Sequence, residues 1–234
     1  MKRLFVFLLA AVILVSLSIS VCAEESENFA VIKIPFPEEI KDNDSWRTIA
    51  RFKDSGQAIT LSMYYDGSIY ATVPTQDKDR EIEAFVPDEI KFTDYDASQY
   101  EFHMMEQLSR TGVILGNEKG EAKPFDNVTR AEATAMVMRT LGLHSEVNYE
   151  LKFEDVSRSD WFYGVVAAAN KNGIVLGDSE TVFAPERDVT REEITVMVTR
   201  ALEYADLRCP KRTVENIKDL DEVSDWAKEA YDLI

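Results

Sequence analysis

Residues 173–193 read "GIVLGDSETVFAPERDVTREE", and residues 112–132 read "GVILGNEKGEAKPFDNVTRAE". Each stretch ends at a helix start. Thr129 and Thr190 are hydroxyl N-caps, and Glu132 and Glu193 stand three residues on, as a capping box requires. Val128 and Val189 precede the caps and face Ala133 and Ile194, which adds a hydrophobic staple. The first helical residue is then Arg130 or Arg191. A cation there meets the positive end of the helix dipole, a loss of roughly 0.3–1 kcal/mol at an exposed site. Two arginines in that position ask for a reason other than helix stability. Their removal is expected to affect binding more than folding.

Working outward, the two stretches belong to a repeat with a fixed offset of 61 residues. Phe92 aligns with Phe153, Asp94 with Asp155, Gly112 with Gly173, Gly116 with Gly177 and Pro124 with Pro185. The register continues without a gap through Met136/Met197, Arg139/Arg200 and Leu141/Leu202. Self-similarity over such a period marks a supersecondary unit that completes its core by stacking on its neighbours. A third copy opens at "IKDLDEVSDWAKEAYDLI" (217–234), where Asp219 matches Asp155 and Trp226 matches Trp161 with one residue inserted between them. The third unit is expected to be cut off inside its first helix.

Each unit reads as helix-loop-helix. The first helix is predicted over about Tyr100 to Thr111, and over Trp161 to Asn172, apolar through Phe102, Met105 and Leu108. Gly112 and Gly173 end these helices as C′ glycines with positive φ. The capped helices run from Arg130 to about Leu141 and from Arg191 to about Tyr204, with Met136, Val137 and Leu141 as core.

The leader sets the compartment. Lys2 and Arg3, an apolar run from Leu4 to Val15, and Val21-Cys22-Ala23 make a secretory signal peptide over residues 1–23; an uncleaved anchor is the alternative. Cys22 follows Val, which does not suit a lipoprotein cysteine. Cleavage leaves Cys209 alone, so packing rather than a disulfide must hold the mature chain. The net charge is −17, and two units more negative without Lys2 and Arg3. Such acidity argues against nucleic acid as a partner. No segment outside the leader suits a membrane span, so no membrane association is expected after cleavage.

Phe-x-Asp-Val, Trp, Gly-Ile-x-x-Gly, a Phe-x-Pro loop and Val-Thr-Arg-x-Glu together resemble the S-layer homology (SLH) domain, over about residues 92 to 234. The second unit is the fuller copy; in the first, Tyr100 replaces the Trp and Ala122 stands where Phe183 stands. The resemblance implies a secreted, cell-wall-anchored protein, S-layer associated, of a Gram-positive-type bacterium. It implies units packed in threes about a pseudo-threefold axis. Its partner would be a secondary cell-wall polysaccharide, often pyruvylated, held in grooves between neighbouring units. The glycan-binding residues it points to are Arg130, Arg191, Trp161, Trp226, Asp155, Gly116 and Gly177. A ketal carboxylate would meet the arginine and the unpaired N–H groups of the helix start, while a tryptophan stacks on a sugar face. On residues alone, the arginines read first as ion-pair partners of Asp94, Asp155 or a neighbouring Glu, as most surface arginines do. Likewise Trp161 and Trp226 fit a core, and Gly112 and Gly173 are structural caps in either case.

The fold class expected is therefore α+β: a small β-rich unit at 24–91, repeats at 92–152 and 153–213, and a partial, truncated repeat at 214–234. In the amino-terminal unit, "AITLSMYYDGSIYATVP" predicts a hairpin with Tyr65-Asp66-Gly67 as a three-residue loop, Met63 facing Ile69 and Leu61 facing Ala71. "SWRTIARF", "REIEAFVP" and Ala30 to Ile34 add strands. Tyr64 and Tyr70 suit cross-strand packing or a binding surface. No cofactor or metal is expected, since His103 and His144 lack a second ligand at metal spacing. No catalytic motif is present, and a non-catalytic chain is expected. The alternative is a fragment of a secreted wall-remodelling or glycan-degrading enzyme whose catalytic domain lies beyond Ile234.

Overall fold

A computed structural model describes residues 26–40, 47–88, 92–95, 102–143, 145–206 and 219–233. The signal segment, Tyr100, His144 and Cys209, with the side chains of Phe102, His103 and Leu233, lie outside the described residues. Strands come first and helices after, so the class is α+β. The strands are β1 (Phe29–Pro35), β2 (Ile49–Phe52), β3 (Ala58–Ile59), β4 (Ser62–Tyr65), β5 (Ser68–Pro74) and β6 (Ile82–Phe85). The helices are α1 (Phe102–Arg110), α2 (Arg130–Thr140), α3 (Tyr163–Lys171), α4 (Arg191–Tyr204) and α5 (Lys228–Leu233). Among the described residues no helix is long and apolar enough to cross a membrane.

Two antiparallel three-stranded sheets, ordered β1-β5-β4 and β3-β2-β6, enclose a small core. Ile69, Ala71 and Val73 alternate along β5 and are fully buried against Ala50, Phe52 and Ile59. The hairpin differs from its expected register by one residue. Tyr65 pairs with Ser68, so the loop is Asp66-Gly67 alone, and Met63 faces Tyr70 while Ser62 faces Ala71. Asp66 and Gly67 both have positive φ (46° and 70°). That is the two-residue turn whose twist matches the strands, and aspartate tolerates the left-handed region well enough to form it.

Leu61 is released from the ladder and goes elsewhere. With Phe29 it enters the main core, among Val128, Ala131, Val137, Met138 and Leu141 of the first repeat and Tyr204 of the second. Polar contacts follow the same path. The Thr60 hydroxyl lies 3.1 Å from the Thr111 carbonyl and 3.0 Å from that of Arg139, and the Asn28 amide donates to the Tyr204 carbonyl at 2.8 Å. The strand unit thus covers the carboxyl ends of α1, α2 and α4, where helix carbonyls lack partners of their own.

Within the repeats the local readings hold. Both capping boxes form, at Thr129/Glu132 and Thr190/Glu193, and Arg130 and Arg191 are the first helical residues. Gly112 and Gly173 have φ of 78° and 72°. The third segment packs on α4 through Ala227 and Ala230 against Val196, with Ser224 N–H donating to Glu192 at 2.9 Å. Trp226 precedes α5 and is largely exposed. The packing face is therefore built of Ala227 and Ala230, with Val223 and Tyr231 partly buried beside them.

Candidate functional site

The site begins where two loops meet. The segments preceding α2 and α4 pair with each other: Val189 N–H donates to the Val128 carbonyl at 2.9 Å, and Thr129 and Asp188 form an antiparallel bridge. Arg130 N–H then donates to the Arg187 carbonyl (2.9 Å) and Ala131 N–H to the Pro185 carbonyl (3.0 Å). Glu132 N–H is taken by the Thr129 hydroxyl. The first three amides of α2 are therefore already satisfied. The expectation that this helix start offers unpaired N–H groups to an anion does not hold, because the second repeat supplies their acceptors.

Arg130 is drawn into the same junction. Its side chain is 8% exposed; Nη1 donates to Glu193 at 2.8 Å and Nη2 to the Leu176 carbonyl at 2.8 Å. The guanidinium lies 5.0 Å from the centre of the buried Phe183 ring. Of the two simple readings of this arginine, the ion pair is the one observed, with the next repeat's capping glutamate as partner. Glu193 also accepts from Arg187 at 2.6 Å and from Thr190 N–H at 2.8 Å. Burial lowers the Arg130 pKa, and the attraction of Glu193 offsets this only in part. Burial also opposes ionisation of Glu193. The Arg187 and Thr190 hydrogen bonds and the charges of both arginines outweigh it, and hold its carboxyl below the usual range. The two directions agree physically: Arg130 has one carboxylate, whereas Glu193 has two cations.

The motif aspartates hold the loop beneath. Asp155 accepts from Phe183 N–H (2.9 Å) and Ala184 N–H (2.7 Å), and Asp94 repeats this with Ala122 and Lys123. Ala184 and Lys123 have φ of 59° and 50°, a conformation that costs about 1 kcal/mol for a non-glycine residue. Two charge-assisted bonds hold each in place. Gly177 is required by space: a Cβ would stand 2.1 Å from the Ser179 carbonyl oxygen. At Gly116 it would meet the Phe92 ring at 2.8 Å.

Around this junction lies a groove of about 350 Å³. Arg130 of the first repeat, Val175 to Asp178 and one stripe of α4 from the second, and Trp226 of the third segment line it. It therefore joins three units. Of the residues singled out by sequence, Arg130, Gly177 and Trp226 come together here. Arg191, Trp161, Asp155 and Gly116 do not line it. Arg191 pairs with Asp219 at 3.3 Å, its side chain 40% exposed. Trp161 and Trp226 are 59% and 58% exposed, so the core reading of both tryptophans is set aside. Sequence reasoning passed over Arg200, which lines the groove beside Glu193, Val196 and Met197. Their 0, 3, 4, 7 spacing on α4 is the signal that places them on one face.

Residues 91–134 and 152–195 match the S-layer homology domain. The chain thus carries two SLH domains. An endoglucanase of Bacillus sp. (strain KSM-635) is 34% identical over 59% of this chain and 15% of its own length. An exoglucanase of Acetivibrio thermocellus is 33% identical over 53% of this chain and 11% of its own. The surface-layer 125 kDa protein of Lysinibacillus sphaericus is 32% identical over 56% and 11% respectively. The chain spans about a seventh or less of the length of these relatives.

Proposed function

We propose that this chain attaches to the bacterial cell surface by holding an anionic cell-wall polysaccharide in the groove between Arg130, the Val175–Asp178 turn and Trp226. One observation carries the reading: an indole more than half exposed stands across a groove lined with arginines, in a chain of net charge −17. A flat aromatic face suits the apolar side of a sugar ring, and arginine suits a carboxylate. The relatives support it. What a surface-layer protein and two glucanases share with this chain is a small part of each, while their named activities differ. Attachment is the role such a shared part can serve in all of them. We read the chain as non-catalytic on the same ground, its units set about a pseudo-threefold axis, and the anion as the carboxylate of a pyruvate ketal.

Sedimentation with purified Gram-positive walls tests this. The protein is expected to pellet with intact walls and to stay in solution with walls stripped of secondary polysaccharide. Equal pelleting with both would refute it. A second reading, favoured by the endoglucanase and exoglucanase relatives, is that these repeats are the attachment part of a longer glycan-degrading enzyme.

A further inference from the structure

The strand unit has no part in the groove of Arg130, yet it builds a second cleft on another side of the molecule. About 320 Å³ of space lies where residues 27–28 and 74–76 meet the loop after α2 and the carboxyl ends of α3 and α4. We infer that this cleft binds an uncharged saccharide, an N-acetylated hexosamine unit, held between the strand unit and the repeats. The inference goes beyond the anion groove and does not depend on it.

Charge decides what the cleft refuses. Its described lining carries two carboxylates, Glu27 and Glu146, and one cation, Lys171, which Glu146 holds at 3.0 Å. The ends of α3 and α4 add the negative poles of two helix dipoles, and α4 has no basic residue in its last turn to offset its own. An anion is therefore repelled here, the opposite of the arginine groove.

What remains to bind with is amide, hydroxyl and ring. The side chains of Gln76, Ser145 and Asn172 line the cleft and form no hydrogen bond among the described residues. Asn28 gives its Nδ2 to the Tyr204 carbonyl at 2.8 Å, which leaves Oδ1 as an acceptor. Donors and acceptors thus stand side by side, as the hydroxyls of a pyranose require, each being both. Tyr204 adds a half-buried ring, set perpendicular to that of Phe29 at 6.1 Å, and such a ring suits the apolar face of a sugar. Pro74, Leu143 and Ala168 complete the lining with an apolar patch. Hydroxyls, an apolar ring face and a methyl carried beside an amide are together the features of an acetamido sugar. The volume, at the lower end for ligand pockets, admits a short saccharide.

The test uses the whole chain and three soluble probes: N,N′-diacetylchitobiose, its de-N-acetylated diamine, and cellobiose. Binding is read from the NMR shifts of the Asn28, Gln76 and Asn172 side-chain amides. The diacetylated sugar is expected to shift all three amides saturably, and the other two probes to bind more weakly. Gln76→Ala and Asn172→Ala should each weaken its binding about 3- to 10-fold, the worth of a neutral hydrogen bond. Their melting temperatures should stay close to the wild type, so that a loss of binding is not a loss of fold. Equal or tighter binding of the diamine would overturn the uncharged assignment, and equal binding of cellobiose the acetamido one. No shift with any probe, or no loss in either variant, would overturn the site. None of these outcomes bears on the wall reading, which pelleting with stripped walls decides.

Discussion

Arg130 and Arg191 occupy the same place in the same motif, yet their surroundings differ. Both follow a threonine cap, and both precede a working capping box. Arg130 is buried against Phe183 and bonded to Glu193; Arg191 is 40% exposed and reaches Asp219 at 3.3 Å. What differs is the unit that comes next. The second repeat brings a phenyl ring, a capping glutamate and a carbonyl to Arg130. The third segment brings the Asp219 carboxylate to Arg191. A repeated motif therefore fixes where an arginine begins, and its neighbour decides what the arginine does.

The largest test of this contrast removes the support beneath Arg130. Phe183→Ala should destabilise by about 3–5 kcal/mol, because it empties a fully buried ring site and takes away the surface under the guanidinium. Urea unfolding would measure it. Arg130→Ala comes next, at about 2–3 kcal/mol, since Glu193 loses one of two cations while its side chain stays largely buried. A smaller loss than Arg191→Ala gives would erase the distinction between the two residues. This reverses the expectation from the sequence alone, where an arginine at a helix start contributes little to folding.

Next, Thr129→Ala and Thr190→Ala should each cost about 1 kcal/mol, with equal shifts in melting temperature, because the two caps are locally the same. Unequal shifts would show that the inter-repeat bridge, and not the cap, dominates at Thr129. Arg191→Ala should change stability by less than about 0.5 kcal/mol, as an exposed pair does. Acid gives the last contrast. The folded-state pKa of Glu193 lies below its ordinary 4.5, so its contribution is present above that pH and is lost as pH falls through the lower folded value. Glu193→Gln should flatten stability against pH in that acid range, as followed by circular dichroism.

The sequence carried what is local and periodic. The caps, staples, C′ glycines and helix spans were legible because each depends on residues within a turn of one another. The partner of Arg130 was not, since Glu193 lies 63 residues away and an N1 arginine carries no mark of its eventual carboxylate. The hairpin register slipped by one because Asp66 accepts a left-handed φ that would ordinarily be left to glycine. The core reading of Trp226 does not hold, because the indole is largely exposed. The helix there starts only at Lys228, so the stripe toward α4 is formed by Ala227 and Ala230 instead. Of the candidate site, Arg130, Gly177 and Trp226 were found by motif. Arg200 was visible only as one more match in the repeat, because its place in the groove depends on the packing of three units.

The covering of the helix ends by the strand unit has a mechanical side. Phe29 and Leu61 sit in the same apolar core as α2 and α4, and Thr60 and Asn28 bond to the carbonyl ends of those helices. A pull on the strands is therefore taken up by two repeats in parallel, through a sheared core and several hydrogen bonds loaded together. A flexible tether would pass the same load to one helix at a time. Joined in this way, strands and repeats should yield to force as one body, at a single extension.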